Sequence, residues 1–283
     1  MAMNKIILLV VLALLPMLNL QATELEPYTM PRTEVLPLKS SVNGGQYELL
    51  VTLPDGYSKN TKQHYPVIYY TDAVWQIDLL SAATTFLMED VILVGVSWQK
   101  DMDAAMLASS GEHVSRFRDY TVTPSKDSKR QAKYQFGKAN EHLEFIRKDV
   151  FTAVEARYRT VPQQRAYFGY SLGGQFGLYA LLAHPDTFKN YILGSPSIGG
   201  SIDYLSKLLD KQNTINANVF ISYGDNESRL SKYVDDFLTK LNSSKQSRLS
   251  LTHEVMKGDH SQAVPMTAAR GVTWLSQRQV ELH

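Results

Sequence analysis

The sequence predicts one α/β domain built on a mostly parallel sheet with helices on both faces. Three observations carry this. Short β-rich apolar runs alternate with segments of helical period along the chain, the pattern of a sheet sandwiched between helices. Several runs are apolar throughout rather than alternating, as strands buried on both faces are. The chain has 283 residues, enough for one large core with a small insertion, and no internal repeat or inter-domain linker interrupts it.

The first 22 residues read as a secretory signal peptide. Lys5 precedes the apolar run Ile6–Leu15; Pro16, Asn19 and Gln21 break it, and Ala22 offers a small residue for cleavage. The run is too short to span a bilayer comfortably, so the reading is a mature chain of 23–283, periplasmic or secreted, without stable membrane insertion. The competing reading is an uncleaved anchor.

The elements follow in order. Val35–Leu38 is a short edge strand whose ladder is limited by Pro31 and Pro37. Gln46–Thr52 is a strand closed by the turn Leu53-Pro54-Asp55-Gly56. After a polar loop, Tyr65–Thr71 has the composition of a buried parallel strand, and a helical pattern runs from near Trp75 to Leu87. Val91–Trp98 is another buried strand. The polar stretch 99–140 is then a long loop or lid-like insertion, and connections of that length are functional or partly disordered. Its Lys126, Lys129, Arg130, Lys133 and Lys138 are a solvated surface or a contact for an anionic substrate.

Leu143–Tyr158 carries apolar residues at helical spacing. Ala166–Phe168 reads as a strand, Phe176–Leu182 as a helix and Tyr191–Gly194 as a strand. Ile202–Leu209 is helical, Val219–Gly224 extended and Leu230–Leu241 helical. Leu249–Val255 alternates as a strand, and Ala263–Leu275 forms the last helix.

Composition narrows the function. A net charge of +1 argues against nucleic-acid binding. The lack of cysteine removes disulfides, thiolate metal sites and a Cys nucleophile. What remains points to Gly169-Tyr170-Ser171-Leu172-Gly173-Gly174, a strand–turn–helix with Ser at its apex. This is the layout of the nucleophile elbow of α/β-hydrolases. The flanking glycines leave room for a sharp turn, and the helix N-terminus behind Ser171 favours developing negative charge.

Ser needs a base, and in such folds the acid and then His follow it along the chain, each after a strand. His64, His113 and His142 precede Ser171; His184 ends the elbow helix; His253 lies within a strand; His283 is terminal. His260, in Gly258-Asp259-His260-Ser261, stands after a strand and before the last helix, where the base belongs. The preceding loop, Gly224-Asp225-Asn226-Glu227-Ser228, offers Asp225 and Glu227 as the acid that would orient the imidazole. For the oxyanion, one N–H comes from Leu172 and the other from the loop holding Ala73 and Val74. Trp75 is a candidate for lining the acyl pocket.

These residues resemble the putative-esterase branch of the α/β-hydrolases, which includes esterase D-type enzymes, feruloyl esterases, mycolyltransferases and siderophore esterases. The resemblance rests on Tyr65–Tyr70 with Asp72, Arg118-Asp119-Tyr120-Thr121, the elbow, Phe188, Ser195-Pro196-Ser197 and Gly258–Ser261. Arg118–Thr121 and Ser195–Ser197 look most like the siderophore-esterase subgroup. In feruloyl esterases of this branch the acid closes a Gly-x-Asn-Asp pattern; Gly224-Asp225-Asn226-Glu227 matches with Glu last, so the resemblance implies Glu227. The family's oxyanion loop commonly reads Asp-Gly-x; here it is Asp72-Ala73-Val74, a departure that leaves the donor open between Ala73 and Val74, with Val74 preferred. The resemblance thus implies a serine ester hydrolase working through an acyl-enzyme, with no cofactor or metal. Its partner would be a small-molecule ester, the candidates being an anionic ferric-siderophore trilactone and an acetylated or feruloylated carbohydrate. An acyltransferase, or a non-catalytic binding protein on the same fold, are the alternatives.

Overall fold

The computed structural model describes residues 28–244 and 246–280, the side chains of 279 and 280 excepted. The expected signal segment, 1–22, lies outside these residues. From Pro31 onward the chain forms one compact unit.

Eight strands form one sheet: β1 (Thr33–Lys39), β2 (Gln46–Thr52), β3 (Tyr65–Tyr70), β4 (Ile92–Val96), β5 (Thr160–Tyr170), β6 (Asn190–Gly194), β7 (Asn218–Gly224) and β8 (Ser250–Met256). The helices are α1 (Ala73–Leu87), α2 (Ala104–Ser110), α3 (Arg116–Asp119), α4 (Ser128–Tyr134), α5 (Ala139–Phe145), α6 (Phe151–Arg157), α7 (Leu172–Ala183), α8 (Ile202–Leu209), α9 (Ser228–Ser243) and α10 (Ala263–Val280). The sheet order is β1-β2-β4-β3-β5-β6-β7-β8. β1 and β2 pair antiparallel, as do β2 and β4; every later pair is parallel. This is the α/β-hydrolase arrangement that the alternating pattern predicts.

Side chains along the central strands alternate between two cores because successive residues point to opposite faces. Tyr69, Tyr167, Tyr191 and Val219 face α7 and α9, through Phe176, Leu181 and Val234. Their neighbours Ile68, Phe168, Ile192 and Phe220 face α1 and α10, through Leu80, Val272 and Leu275. Helix α7 is buried from Gly173 to Leu182, so it sits between the sheet and the outer layer.

Three elements differ from the sequence reading, each for a local reason. β5 is much longer than Ala166–Phe168, because the polar residues Gln163, Gln164 and Arg165 hide its first half. Arg165 is paired with Glu155 of α6 and lies over the Phe151 ring at 4.0 Å. The helix expected from Leu143 starts at Ala139 and passes through a π turn, Ile146–Val150, between α5 and α6. The polar stretch 99–140 is folded into short helices. Asp103 caps α2 by accepting from Ala105 N and Met106 N, and Asp127 caps α4 by accepting from Lys129 N and Arg130 N.

Arg118-Asp119-Tyr120-Thr121 pins this insertion to the domain. Arg118 pairs with Asp119 at 2.7 Å and donates to Gln99 Oε1 at 2.7 Å and Tyr47 OH at 3.1 Å. Tyr47 OH donates to Asp119 Oδ2 at 3.1 Å. Gln175 of α7 donates to the Tyr120 carbonyl at 3.1 Å, and the Thr121 hydroxyl accepts from Gly137 N at 2.8 Å. The motif therefore ties the insertion to β2 and to the elbow helix.

Candidate active site

Parallel strands deliver their C-terminal ends to one edge of the sheet, where α/β folds place their sites. There the loops after β3, β5, β6, β7 and β8 bring together Asp72–Val74, Ser171, Ser195–Ser197, Gly224–Glu227 and Gly258–His260.

Ser171 stands between β5 and α7 with φ 58° and ψ −115°, a strained conformation for a residue with a Cβ. Its N–H donates to Gly194 O at 2.9 Å. A Cβ on Gly173 would fall 2.5 Å from Thr71 Oγ1, so a larger residue would push the elbow away from β3. Tyr167 OH clamps the same corner, donating to Gly173 O at 2.8 Å and lying 3.0 Å from Thr71 Oγ1. Ser171 Oγ lies 3.1 Å from Ser197 Oγ. Among the described residues no hydrogen bond joins Ser171 to His260.

His260 Nδ1 faces Glu227 Oε1 at 2.5 Å. A carboxylate only accepts, so Nδ1 is the donor in this contact. Glu227 is buried, 5% of its side chain exposed, against 44% for His260. Asp225, the other candidate, turns outward. Its carboxylate pairs with Lys257 at 2.7 Å and accepts from Gly258 N at 2.8 Å; these contacts, Lys257 first, hold its pKa below the usual carboxylate value. Asp225 thus closes the turn between the β7 and β8 loops.

The expected oxyanion donors sit at two helix starts. Leu172 opens α7, and Ala73 and Val74 open α1; neither helix has a side-chain cap, and first-turn N–H groups lack intrahelical acceptors. Trp75 N and Gln76 N already bond to Asp72 O, at 2.9 and 3.2 Å, which leaves those of Ala73 and Val74. Asp72 adopts the left-handed conformation (φ 55°, ψ 46°) that turns the loop.

Arg116 and Trp98, which sequence reasoning did not single out, hold Asp72. Arg116 grips both of its oxygens, at 3.0 and 2.8 Å, and Trp98 Nε1 donates to Oδ1 at 2.7 Å. Burial alone would lower the Arg116 pKa; the Asp72 carboxylate outweighs it and the net shift is upward. The Arg116 guanidinium also lies 5.1 Å from the Trp75 ring, and Trp75 packs edge-on against Trp98 at 4.7 Å. Trp75 itself stays half-exposed. Nothing in residues 112–119 marks Arg116 as special, because its partner is 44 positions away.

A cleft of about 760 Å³ opens beside Ser197. Lys126, Arg130 and Lys207 line it against one carboxylate, Asp203. Of the basic residues noted in the insertion, only Lys126 and Arg130 reach this cleft; Lys138 pairs with Glu141 at 2.6 Å. Among the described residues no cluster of three His, Asp or Glu is placed to hold a metal ion, and no helix is long and apolar enough to cross a membrane.

Comparison with known proteins decides the family. The model of the family described as "Putative esterase" matches residues 40–282. The chain belongs to that family. It is a carboxylic-ester hydrolase with the α/β-hydrolase fold. Among its relatives is the ferri-bacillibactin esterase BesA of Bacillus subtilis (strain 168), 28% identical over 229 residues, 74% of this chain and 75% of the relative. The siderophore triacetylfusarinine C esterase of Aspergillus fumigatus is 39% identical over 85 residues, 30% of this chain and 28% of that one. The esterase also shares its fold with an IroE-like serine hydrolase from Shewanella oneidensis, with TM-score 0.74, 21% identity and coverage of 87% of this chain and 80% of that one.

Proposed function

We propose that the esterase hydrolyses a ferric-siderophore ester through an acyl-enzyme on Ser171. His260 is the general base, Glu227 orients it, and the Leu172 and Val74 N–H groups receive the oxyanion. The observation that carries this reading is the His260–Glu227 contact at 2.5 Å on the same sheet edge as the strained Ser171. In the reaction Ser171 Oγ turns from Ser197 towards His260 Nε2, loses its proton there and attacks the ester carbonyl. Hydrogen bonds of this kind commonly tighten only when substrate binds. The imidazolium, steadied by Glu227, returns the proton to the leaving alkoxide; water then repeats the sequence on the acyl-enzyme.

The substrate class is supported by relatives whose names specify siderophore esterases and by the cationic cleft beside Ser197. Low-dielectric walls with excess positive charge concentrate an anionic complex at the nucleophile. The N-terminal run from Lys5 to Ala22 supports export to the periplasm or the medium, and the net charge of +1 supports a small-molecule partner rather than nucleic acid.

The test is a substrate panel with wild type and Ser171→Ala. We expect turnover of a ferric catecholate trilactone and of p-nitrophenyl acetate, both reduced to near background by Ser171→Ala. Activity retained in that variant sinks the nucleophile. Turnover of feruloylated or acetylated carbohydrate alone sinks the substrate assignment.

A further inference from the structure

Glu227 is gripped on both oxygens. Oε1 faces His260, and Oε2 accepts from Gly224 N and Ser195 Oγ, both at 2.6 Å. Ser195 Oγ lies 2.7 Å from Tyr170 OH, which donates to the His260 carbonyl oxygen at 2.7 Å. Glu227, Ser195, Tyr170 and His260 thus close a ring that joins the imidazole to its own backbone. Ser195 is fully buried, and its φ of 38° lies in the region that favours glycine. Glycine would take this conformation at no steric cost, yet the position carries a hydroxyl.

The protons can be assigned. Burial pushes the Tyr170 phenol well above its ordinary pKa, so it stays a donor. An ionised Glu227 supplies no proton, so the Ser195 proton goes to Oε2. The Tyr170 proton is then shared between the His260 carbonyl and Ser195 Oγ. Both groups that hold Oε2 are neutral. A cation there would also fix the carboxylate, but it would oppose the imidazolium that forms at Oε1.

We propose that Ser195 is a positioning residue for ester hydrolysis, fixing Glu227 so that Oε1 meets His260 Nδ1, with Tyr170 bracing Ser195 and the His260 loop. The inference rests on the roles given above to Ser171, His260 and Glu227. It assigns a task to the first serine of Ser195-Pro196-Ser197, and it makes Tyr170, next to the nucleophile, part of the base's support.

The experiment is a double-mutant cycle on the full chain with p-nitrophenyl acetate. Ser195→Gly, which suits the backbone, is expected to lower kcat roughly ten- to hundredfold with KM within about twofold, as loss of a hydrogen bond to a charged group does. In a Glu227→Ala background the same change should cost less than about twofold, because a residue acting through Glu227 has nothing left to position. Tyr170→Phe should give a smaller kcat loss, about threefold, that shrinks once Ser195 is Gly. If Ser195→Gly does not fold, Tyr170→Phe in the parent and Glu227→Ala backgrounds tests the same ring, and an equal loss in both overturns it. An equal loss from Ser195→Gly in both backgrounds makes the role merely structural and overturns the proposal, as does no loss in the parent. If Glu227→Ala leaves kcat intact, the acid assignment itself falls; if Glu227→Ala is crippled and the cycle is additive, only the Ser195 inference does.

Discussion

The two ends of the proposed catalytic row are held by opposite electrostatic means. At the base end, Glu227 is fixed by neutral donors, the Gly224 N–H and the Ser195 hydroxyl. At the oxyanion end, Asp72 is neutralised by the guanidinium of Arg116, with Trp98 as a third grip. The difference follows from what each carboxylate faces. In the proposed mechanism Glu227 faces a ring that gains charge in each half-reaction, so its negative charge must stay available. Asp72 only shapes the loop that presents the Ala73 and Val74 N–H groups. A net negative charge beside the proposed oxyanion site would be repulsive, and Arg116 pairs with that charge.

The sharpest way to break this comparison is Glu227→Gln. An amide in place of the carboxylate turns its NH₂ towards Nδ1 and favours the wrong imidazole tautomer, so kcat should fall by about 10³–10⁴. Asp225→Ala should stay within about threefold, since Asp225 serves a surface pair with Lys257. Steady-state kinetics on p-nitrophenyl acetate reads both, and a larger loss from Asp225→Ala reverses the assignment.

Arg116→Met tests the other end. It leaves Asp72 buried without its cation, which costs about 3–5 kcal/mol of stability by denaturant unfolding. Adding Asp72→Asn should restore most of that. If Arg116→Met is neutral, the ion pair is not what holds the loop.

A third contrast concerns pH. His142 is buried beneath the insertion among Tyr47, Tyr120, Phe145 and Phe176, and neither ring nitrogen has a hydrogen-bond partner among the described residues. Burial lowers its pKa from 6.5 to about 4. Between these values the unfolded chain binds more protons than the folded one, so stability rises with pH through this window and falls as acid is added. At pH 5 the loss from this residue is on the order of 2 kcal/mol. His142→Phe should flatten the melting temperature between pH 7 and pH 5; an unchanged slope removes His142 as the cause.

A more modest effect is expected in the cleft. Lys126→Glu with Arg130→Glu should lower kcat/KM for a ferric catecholate about tenfold at low salt, less at high salt, and leave p-nitrophenyl acetate unchanged. Equal losses on both substrates would show damage to the site rather than lost attraction.

Much of the architecture follows from residue pattern alone. Alternating apolar runs fix a parallel sheet, and a parallel sheet puts Ser171, the Glu227 loop and His260 at the same edge in chain order. Gly169–Gly174 is legible because a strained turn demands small residues within a few positions. The hidden half of β5 was not legible, because Gln163, Gln164 and Arg165 read as a loop until Glu155 and Phe151 arrive to receive Arg165. The fold of 99–140 was hidden for a similar reason: Asp103 and Asp127 cap short helices whose anchoring, through Arg118 and Thr121, is made by Tyr47, Gln99 and Gly137.

Within the site, local pattern left Asp225 and Glu227 as equal candidates, and a family likeness was needed to prefer one. Folding in three dimensions is what puts one carboxylate against His260 and the other against Lys257. The same holds for Arg116 with Asp72 and for Ser195 with Tyr170. Periodicity and turn chemistry act over a few residues, and these contacts join positions 25 to 44 apart. Which side chains meet there depends on strand order and register, and those are decided when the sheet assembles.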